Sequence, residues 1–126
     1  MAKGKLSKLK VFGNDYNTVD GTGVRDYIHV CDLAEGHVAA LDKMTSGIQI
    51  YNLGTGRGTS VLELLKAFEE ANGINVPYEI AERRSGDIAE CYADTGKAKA
   101  ELGWTAKRSI VDMCRDAWRF EKNCNE

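Results

Sequence analysis

Ile48-Gln49-Ile50-Tyr51-Asn52-Leu53-Gly54-Thr55-Gly56-Arg57-Gly58-Thr59-Ser60-Val61-Leu62-Glu63 is the stretch that decides the fold class. Ile48 to Leu53 reads as a strand. Its Ile48, Ile50, Tyr51 and Leu53 leave neither face polar, which is the composition of a strand covered on both sides inside a parallel sheet. Gly54 to Gly58 reads as a tight turn. Ser60, followed three residues later by Glu63, forms a capping box. Val61, Leu64, Leu65, Phe68 and Ala71 then share one helical face until Asn72-Gly73 ends it. Val76 to Ile80 alternates as the next strand. Strands alternating with helices predict an α/β fold.

Upstream, Lys8 to Phe12 alternates as a short strand, with Leu9 and Val11 on one side. Gly13 to Gly23 is rich in turn formers. Val24 to Val30 reads as a strand whose period of two puts Val24, Asp26, Ile28 and Val30 on one face and Arg25, Tyr27 and His29 on the other. Asp32 with Glu35 is in capping-box register, and Leu33, His37, Val38 and Leu41 supply an apolar stripe. Downstream, Arg83 to Asp87 is a polar loop, Ala89 to Ala93 is extended, and Thr95 to Leu102 is a short helix closed by Gly103. Ser109 caps a last helix with Ile110, Met113, Cys114 and Ala117 in one stripe and Trp118 beside it. No internal repeat or low-complexity segment occurs.

The 126 residues suffice for one domain with a modest core. A hydrophobic share of 43%, a charged share of 29% and a formal net charge of −2 describe an ordinary globular chain. They supply no strong field for nucleic acid or a membrane surface. No apolar run approaches the ~20 residues of a membrane span. Met1 to Lys5 carries positive charge with no apolar stretch behind it, unlike a secretory signal. Cys31, Cys91, Cys114 and Cys124 form no C-x-x-C pair and have no His at zinc-ligand spacing, so they are expected to be reduced thiols of a cytoplasmic protein, with no metal.

Taken alone, residues 48–82 resemble a dinucleotide-binding unit, in which glycines admit a pyrophosphate to a helix N-terminus. The spacing here is Gly-x-Gly-x-Gly, with Thr59 at the place of the last expected glycine, and no Gly-Lys-Ser/Thr follows. The plainer reading is a strand-to-helix turn that needs glycine for positive φ.

Five stretches together carry a more specific signal. They are Phe12-Gly13-Asn14-Asp15-Tyr16, then Asp20-Gly21-Thr22-Gly23-Val24-Arg25-Asp26-Tyr27-Ile28-His29-Val30, then Tyr51-Asn52-Leu53-Gly54, Arg83-Arg84-Ser85-Gly86-Asp87, and Glu101-Leu102-Gly103-Trp104. Over nearly its whole length the chain resembles the C-terminal, substrate-binding part of UDP-galactose/UDP-glucose 4-epimerases, which are extended short-chain dehydrogenase/reductases. UDP-glucuronate-type epimerases and decarboxylases match the Gly21 to His29 string less well. The resemblance implies that Arg25 and Arg84 clasp the diphosphate of a UDP-sugar, a role suited to guanidinium forks. It implies that Phe12 and the Lys10 backbone hold the uracil, that Asp87 accepts from the ribose hydroxyls, and that Tyr27 and Val61 line the nucleotide pocket. Cys91 stands where the family varies between tyrosine and small residues beside the sugar 2-substituent, which implies room for an N-acetyl group. On spacing alone, Arg25 could instead pair with Asp20 or Asp26 at the surface. Arg83 is expected to be exposed, and His29 to be a packing residue.

The family oxidises sugar C4 with bound NAD, using the tyrosine of a Tyr-x-x-x-Lys pair as base and a Gly-x-x-Gly-x-x-Gly loop for the cofactor. None of Tyr16, Tyr27, Tyr51, Tyr78 or Tyr92 has a lysine four residues later, and no such glycine loop occurs. No catalytic residue and no cofactor are therefore expected in this chain alone. The resemblance implies one partial domain over residues 1–126, of which 28–54 would join a cofactor domain as a strand and helix. It further implies a chain that binds UDP-sugar and meets either copies of itself or a cofactor-domain chain. The alternatives are a stand-alone UDP-binding module and an assembly partner that binds nothing small.

Overall fold

Polar side chains that reach back to the backbone, at Asp20, Asp26, Ser60 and Ser109, fasten the turns that build this fold. The computed structural model describes residues 7–124, so Met1 to Lys5 lies outside the described residues. In chain order the elements are β1 (Leu9–Phe12), β2 (Val24–Arg25), α1 (Val30–Asp42), β3 (Thr59–Ser60), α2 (Val61–Asn72), β4 (Tyr78–Ala81), β5 (Glu90–Cys91), a π-helical turn (Ala98–Leu102) and α3 (Ile110–Asn123). The fold is α/β. Two small sheets carry it. β1 pairs in parallel with β4, Val11 opposite Ile80. β2 lies between β3, antiparallel, and β5, parallel.

The caps explain where the helices begin. The Ser60 hydroxyl accepts from the Glu63 N–H while the Glu63 carboxylate accepts from the Ser60 N–H, the full capping box read from the sequence. Gly73 closes α2 at φ 63°. Ser109 and Asp112 form a second capping box, with the Asp112 carboxylate in the role usually taken by Glu. α2 packs on α3, with the Phe68 and Trp118 rings edge to face at 6.1 Å. A separate core of Ala98, Leu102 and Trp104 gathers Ile28, Ala39, Ala40, Tyr51 and Leu53. Gly36 of α1 lies directly against Leu53 and Trp104, where a Cβ would meet side-chain carbons at 2.9–3.1 Å.

Four sequence expectations need correction. The strand expected over Val24 to Val30 stops at Arg25, because the chain turns into α1. His29, not Asp32, is the N-cap of α1. Its Nδ1 accepts from the Cys31 N–H at 3.0 Å, which leaves the proton on Nε2 to be donated to the Asp116 carboxylate at 3.2 Å. Asp32 is instead fully buried and accepts from the Lys107 and Arg108 N–H groups and the Arg108 guanidinium. Finally, Ile48 to Leu53 forms no strand. Ile48 and Ile50 are 91% and 74% exposed, and Val38 and Leu41 of the expected apolar stripe are also exposed. Apolar periodicity identifies a surface that can be covered; it does not supply the cover.

Burial works to raise the Asp32 carboxyl, but the hydrogen bonds from Arg108 and Lys107 outweigh it and hold the group below its ordinary value of 3.8. A carboxyl lowered in the folded state contributes stability that is present above its unfolded value and lost as pH falls through the folded one. Asp32→Asn is expected to lower unfolding free energy by about 2 kcal/mol, the discount from a sealed ion pair reflecting the partly exposed Arg108. Urea denaturation at pH 7 checks it, and the difference between variant and parent should shrink as pH is lowered below 3.8.

Candidate functional site

The loop between β1 and β2 is folded on itself by Asp20. One carboxylate oxygen accepts from the Thr22 N–H at 2.9 Å and the Thr22 hydroxyl at 2.7 Å, and the other accepts from the Ser60 hydroxyl. Burial pushes the Asp20 carboxyl up, yet the Ser60 and Thr22 hydrogen bonds hold it below its usual range. The helix-capping serine is thereby tied to this loop, and the Val61 N–H donates to the Gly23 carbonyl. The start of α2 is thus fixed beside β2.

A cleft of about 280 Å³ opens between these elements, lined by Lys10, Val11, Phe12, Tyr16, Gly23, Arg25, Tyr27, Val61, Arg84 and Asp87. Seven of the eight residues singled out in the sequence line it: Lys10, Phe12, Arg25, Tyr27, Val61, Arg84 and Asp87. They come from four segments spread over 78 positions of the chain, from 10 to 87. Cys91 does not line the cleft. It sits in β5 as the ladder partner of Arg25, exposed.

The charged groups are arranged unequally. The Arg84 guanidinium lies 4.7 Å from the Phe12 ring and donates through Nε to Asp87 at 2.9 Å. Arg25 makes no ion pair among the described residues; it donates to the Val24 carbonyl at 2.7 Å. The surface pairing with Asp20 or Asp26 that spacing allowed does not form, because both carboxylates are engaged elsewhere. Burial raises the Tyr27 phenol above its ordinary value, with the nearby Arg25 charge working against it. Such a cleft suits an anion joined to a hydrogen-bond-donating diol: one cation free of carboxylates, a second stacked on an aromatic ring, and one carboxylate.

Two supporting residues were not identified from the sequence. Arg83 is exposed, as expected, but it is not idle: it lies 4.0 Å over the Tyr16 ring and donates to the Asp15 carboxylate and carbonyl, each at 2.6 Å, tying the Arg84–Asp87 loop to the β1 side. Asp26 was read only as one face of a strand. Its carboxylate accepts from the Thr55 N–H at 2.9 Å, the Thr55 hydroxyl at 2.5 Å, the Gly56 N–H at 3.0 Å and the Ala93 N–H at 3.2 Å. Burial would raise this carboxyl, but the Thr55, Ala93 and Gly56 bonds hold it low. The signal was available in principle, as an Asp amid glycine-rich turns, but its partners lie 29 and 67 residues away.

This pattern answers the glycine question. The turn's N–H groups at Thr55 and Gly56 already hold an anion, the Asp26 carboxylate, so these residues do not fit a dinucleotide pyrophosphate. Gly56 has φ 73°, and Gly54 is needed for close approach, since a Cβ there would meet Asp26 Oδ2 at 2.5 Å and Ala93 Cβ at 2.7 Å.

Residues 1–117 match the family model described as GDP-mannose 4,6 dehydratase. The chain belongs to that family, within the extended short-chain dehydrogenase/reductases. UDP-glucose 4-epimerase of Bacillus subtilis is 62% identical over 125 residues, covering 98% of this chain and 37% of the relative. UDP-glucose 4-epimerase from Bifidobacterium longum, solved in complex with NAD+ and UDP, superimposes with a TM-score of 0.94 at 54% identity, over 98% of this chain and 37% of that one. The UDP-Glc/GlcNAc 4-epimerase of Campylobacter jejuni gives a TM-score of 0.85 at 38% identity, over 98% of this chain and 38% of that one. The chain therefore spans little more than a third of the length of the relatives it matches.

Gly54→Ala is expected to push the turn away from Asp26 and destabilise the fold by about 1–3 kcal/mol. Chemical denaturation measures it, and a variant with unchanged midpoint and slope would contradict the close approach.

Proposed function

We propose that this chain is the UDP-sugar-binding part of a UDP-glucose/UDP-galactose 4-epimerase, corresponding to the C-terminal portion of such enzymes. The observation that carries the reading is the meeting of Arg25 and Arg84 with Asp87, Phe12, Tyr27 and Val61 in one cleft. In this reading the two guanidiniums take the diphosphate by paired, charge-assisted hydrogen bonds. Phe12 and the Lys10 backbone hold the uracil, and Asp87 accepts from the ribose. The chain's own work is binding and orientation. NAD, held by another part of the full-length protein, supplies the hydride transfer, and the base comes from there too. The protein is read as cytoplasmic.

Arg84 is already paired with Asp87, so a diphosphate must draw the guanidinium away from a partner, whereas Arg25 meets it without an ionic competitor. Cys91, beside Arg25 on the neighbouring strand, leaves a small side chain where the sugar would extend, which supports acceptance of N-acetylated as well as plain hexoses. Turnover of only the non-acetylated sugars by a full-length version would rule that extension out.

A different observation favours a second role, that of assembly partner. Leu41, Met44 and Ile48 line an apolar groove of about 580 Å³, with Val38 and Ile50 exposed nearby. Surface of this kind marks an interface. Residues 28–54 would there complete a cofactor domain, in this chain's copies or in a second chain. Sedimentation velocity is expected to show a species heavier than 13.9 kDa; a single monomer across micromolar concentrations would count against it.

Calorimetric titration with UDP tests the main reading. Binding is expected, and Arg25→Ala or Arg84→Ala should each weaken it by about 1.5–3 kcal/mol, Arg84 less because removing it also releases Asp87. Equal UDP affinity in parent and both variants would refute the reading.

A further inference from the structure

The cleft has two halves, and each is held together by hydrogen bonds to one carboxylate. Lys10 and Phe12 on β1 face Arg84 and Asp87 on the loop after β4, and Arg83 joins these two segments through Asp15 and Tyr16. Arg25, Tyr27 and Val61 make up the other side, with Cys91 behind them as the ladder partner of Arg25. They lie on three separate segments: β2 and its continuation, the start of α2, and β5. The ladder that joins these segments is only two residues long on each side of β2. Two residue pairs make a weak sheet, because few backbone bonds oppose its fraying.

We propose that Asp26 is the positioning residue for the sugar-diphosphate side of the cleft. The inference rests on the UDP-sugar reading above. Asp26 follows Arg25 directly, and its carboxylate receives donors from both flanking segments. Thr55 and Gly56 lead through the glycine turn into β3 and Val61; Ala93 lies two residues beyond Cys91. One carboxylate thereby extends the two-residue ladder on both edges and sets the spacing of Arg25 from Val61 and Cys91. Its geometry is demanding. Gly54 and Ala93 leave no slack, since even a Cβ on Gly54 would collide with both Asp26 and Ala93. A neutral amide of the same shape can accept through one atom only, and its NH₂ would face the Gly56, Thr55 or Ala93 donors. Asp26→Asn thus loosens the Arg25 side while leaving the Arg83 tie and the β1–β4 side standing.

The test compares UDP with uridine by calorimetry on the parent, Asp26→Asn, Thr55→Val and Arg83→Gln proteins, each shown to unfold cooperatively. Uridine reports the base and ribose contacts; the ratio of UDP to uridine affinity reports the diphosphate contacts. Asp26→Asn is expected to lower that ratio about tenfold, and Thr55→Val, which removes the hydroxyl donor to Asp26 and with it the acceptor for the Arg57 N–H, about threefold. Arg83→Gln, which loosens the opposite side carrying Asp87 as well as Arg84, should weaken uridine too, whereas Asp26→Asn should leave uridine affinity unchanged. If Asp26→Asn fails to fold, Thr55→Val decides. An unchanged ratio in the variants, or a proportional loss of UDP and uridine, reduces Asp26 to a general stabilising residue and overturns the proposal. A parent protein that binds no UDP overturns the UDP-sugar reading itself, and this inference with it.

Discussion

A carboxylate that is half out of water must collect hydrogen bonds or give up its charge. Asp26 collects four, from a glycine turn and from the segment after β5, and the rest of the β2 side is arranged around that requirement. The turn needs glycine at 54 because Asp26 and Ala93 occupy the space a side chain would take. Asp20 does the same on the other flank, where Thr22 and Ser60 donate to it, and so ties a loop to a helix cap. Two acids that look like surface charges in the sequence are internal fasteners.

The glycine turn shows how one local pattern serves two chemistries. A string of backbone N–H groups at a turn is an anion receptor whatever the anion is. In dinucleotide-binding folds the anion is a pyrophosphate; here it is a side chain of the same molecule. Which of the two applies depends on whether a carboxylate reaches the turn, and Asp26 reaches it.

The arginines are sorted by the same economy of partners. Arg108 is joined to Asp32 and Glu35, and Arg83 to Asp15. Arg84 is joined to Asp87 within three residues, on the exposed side of the cleft. Arg25 has no carboxylate in ion-pair range among the described residues, since Asp20 and Asp26 are taken. An unneutralised guanidinium at the wall of a cleft is the feature most directly suited to an incoming anion. It exists because the neighbouring acids were recruited for structure.

The sequence by itself determined the α/β class, the two serine-capped helices, the glycine stop of α2 and seven of the ten residues that line the cleft. All of these rest on short-range chemistry or on motifs with fixed spacing: Ser60 with Glu63, Gly73 at positive φ, and the strings around Arg25 and Arg84. Tertiary structure alone decided the rest. His29 took the cap assigned to Asp32 because Asp32 found Arg108, 76 residues away, a better partner than the adjacent backbone. Ile48 to Leu53 formed no strand because a strand is stable only when neighbours pair its backbone, and the described chain brings no strand beside it, although Tyr51 and Leu53 pack against the Trp104 core. Periodicity specifies which face a segment can bury. Whether that face is buried is settled by what the remainder of the chain places against it.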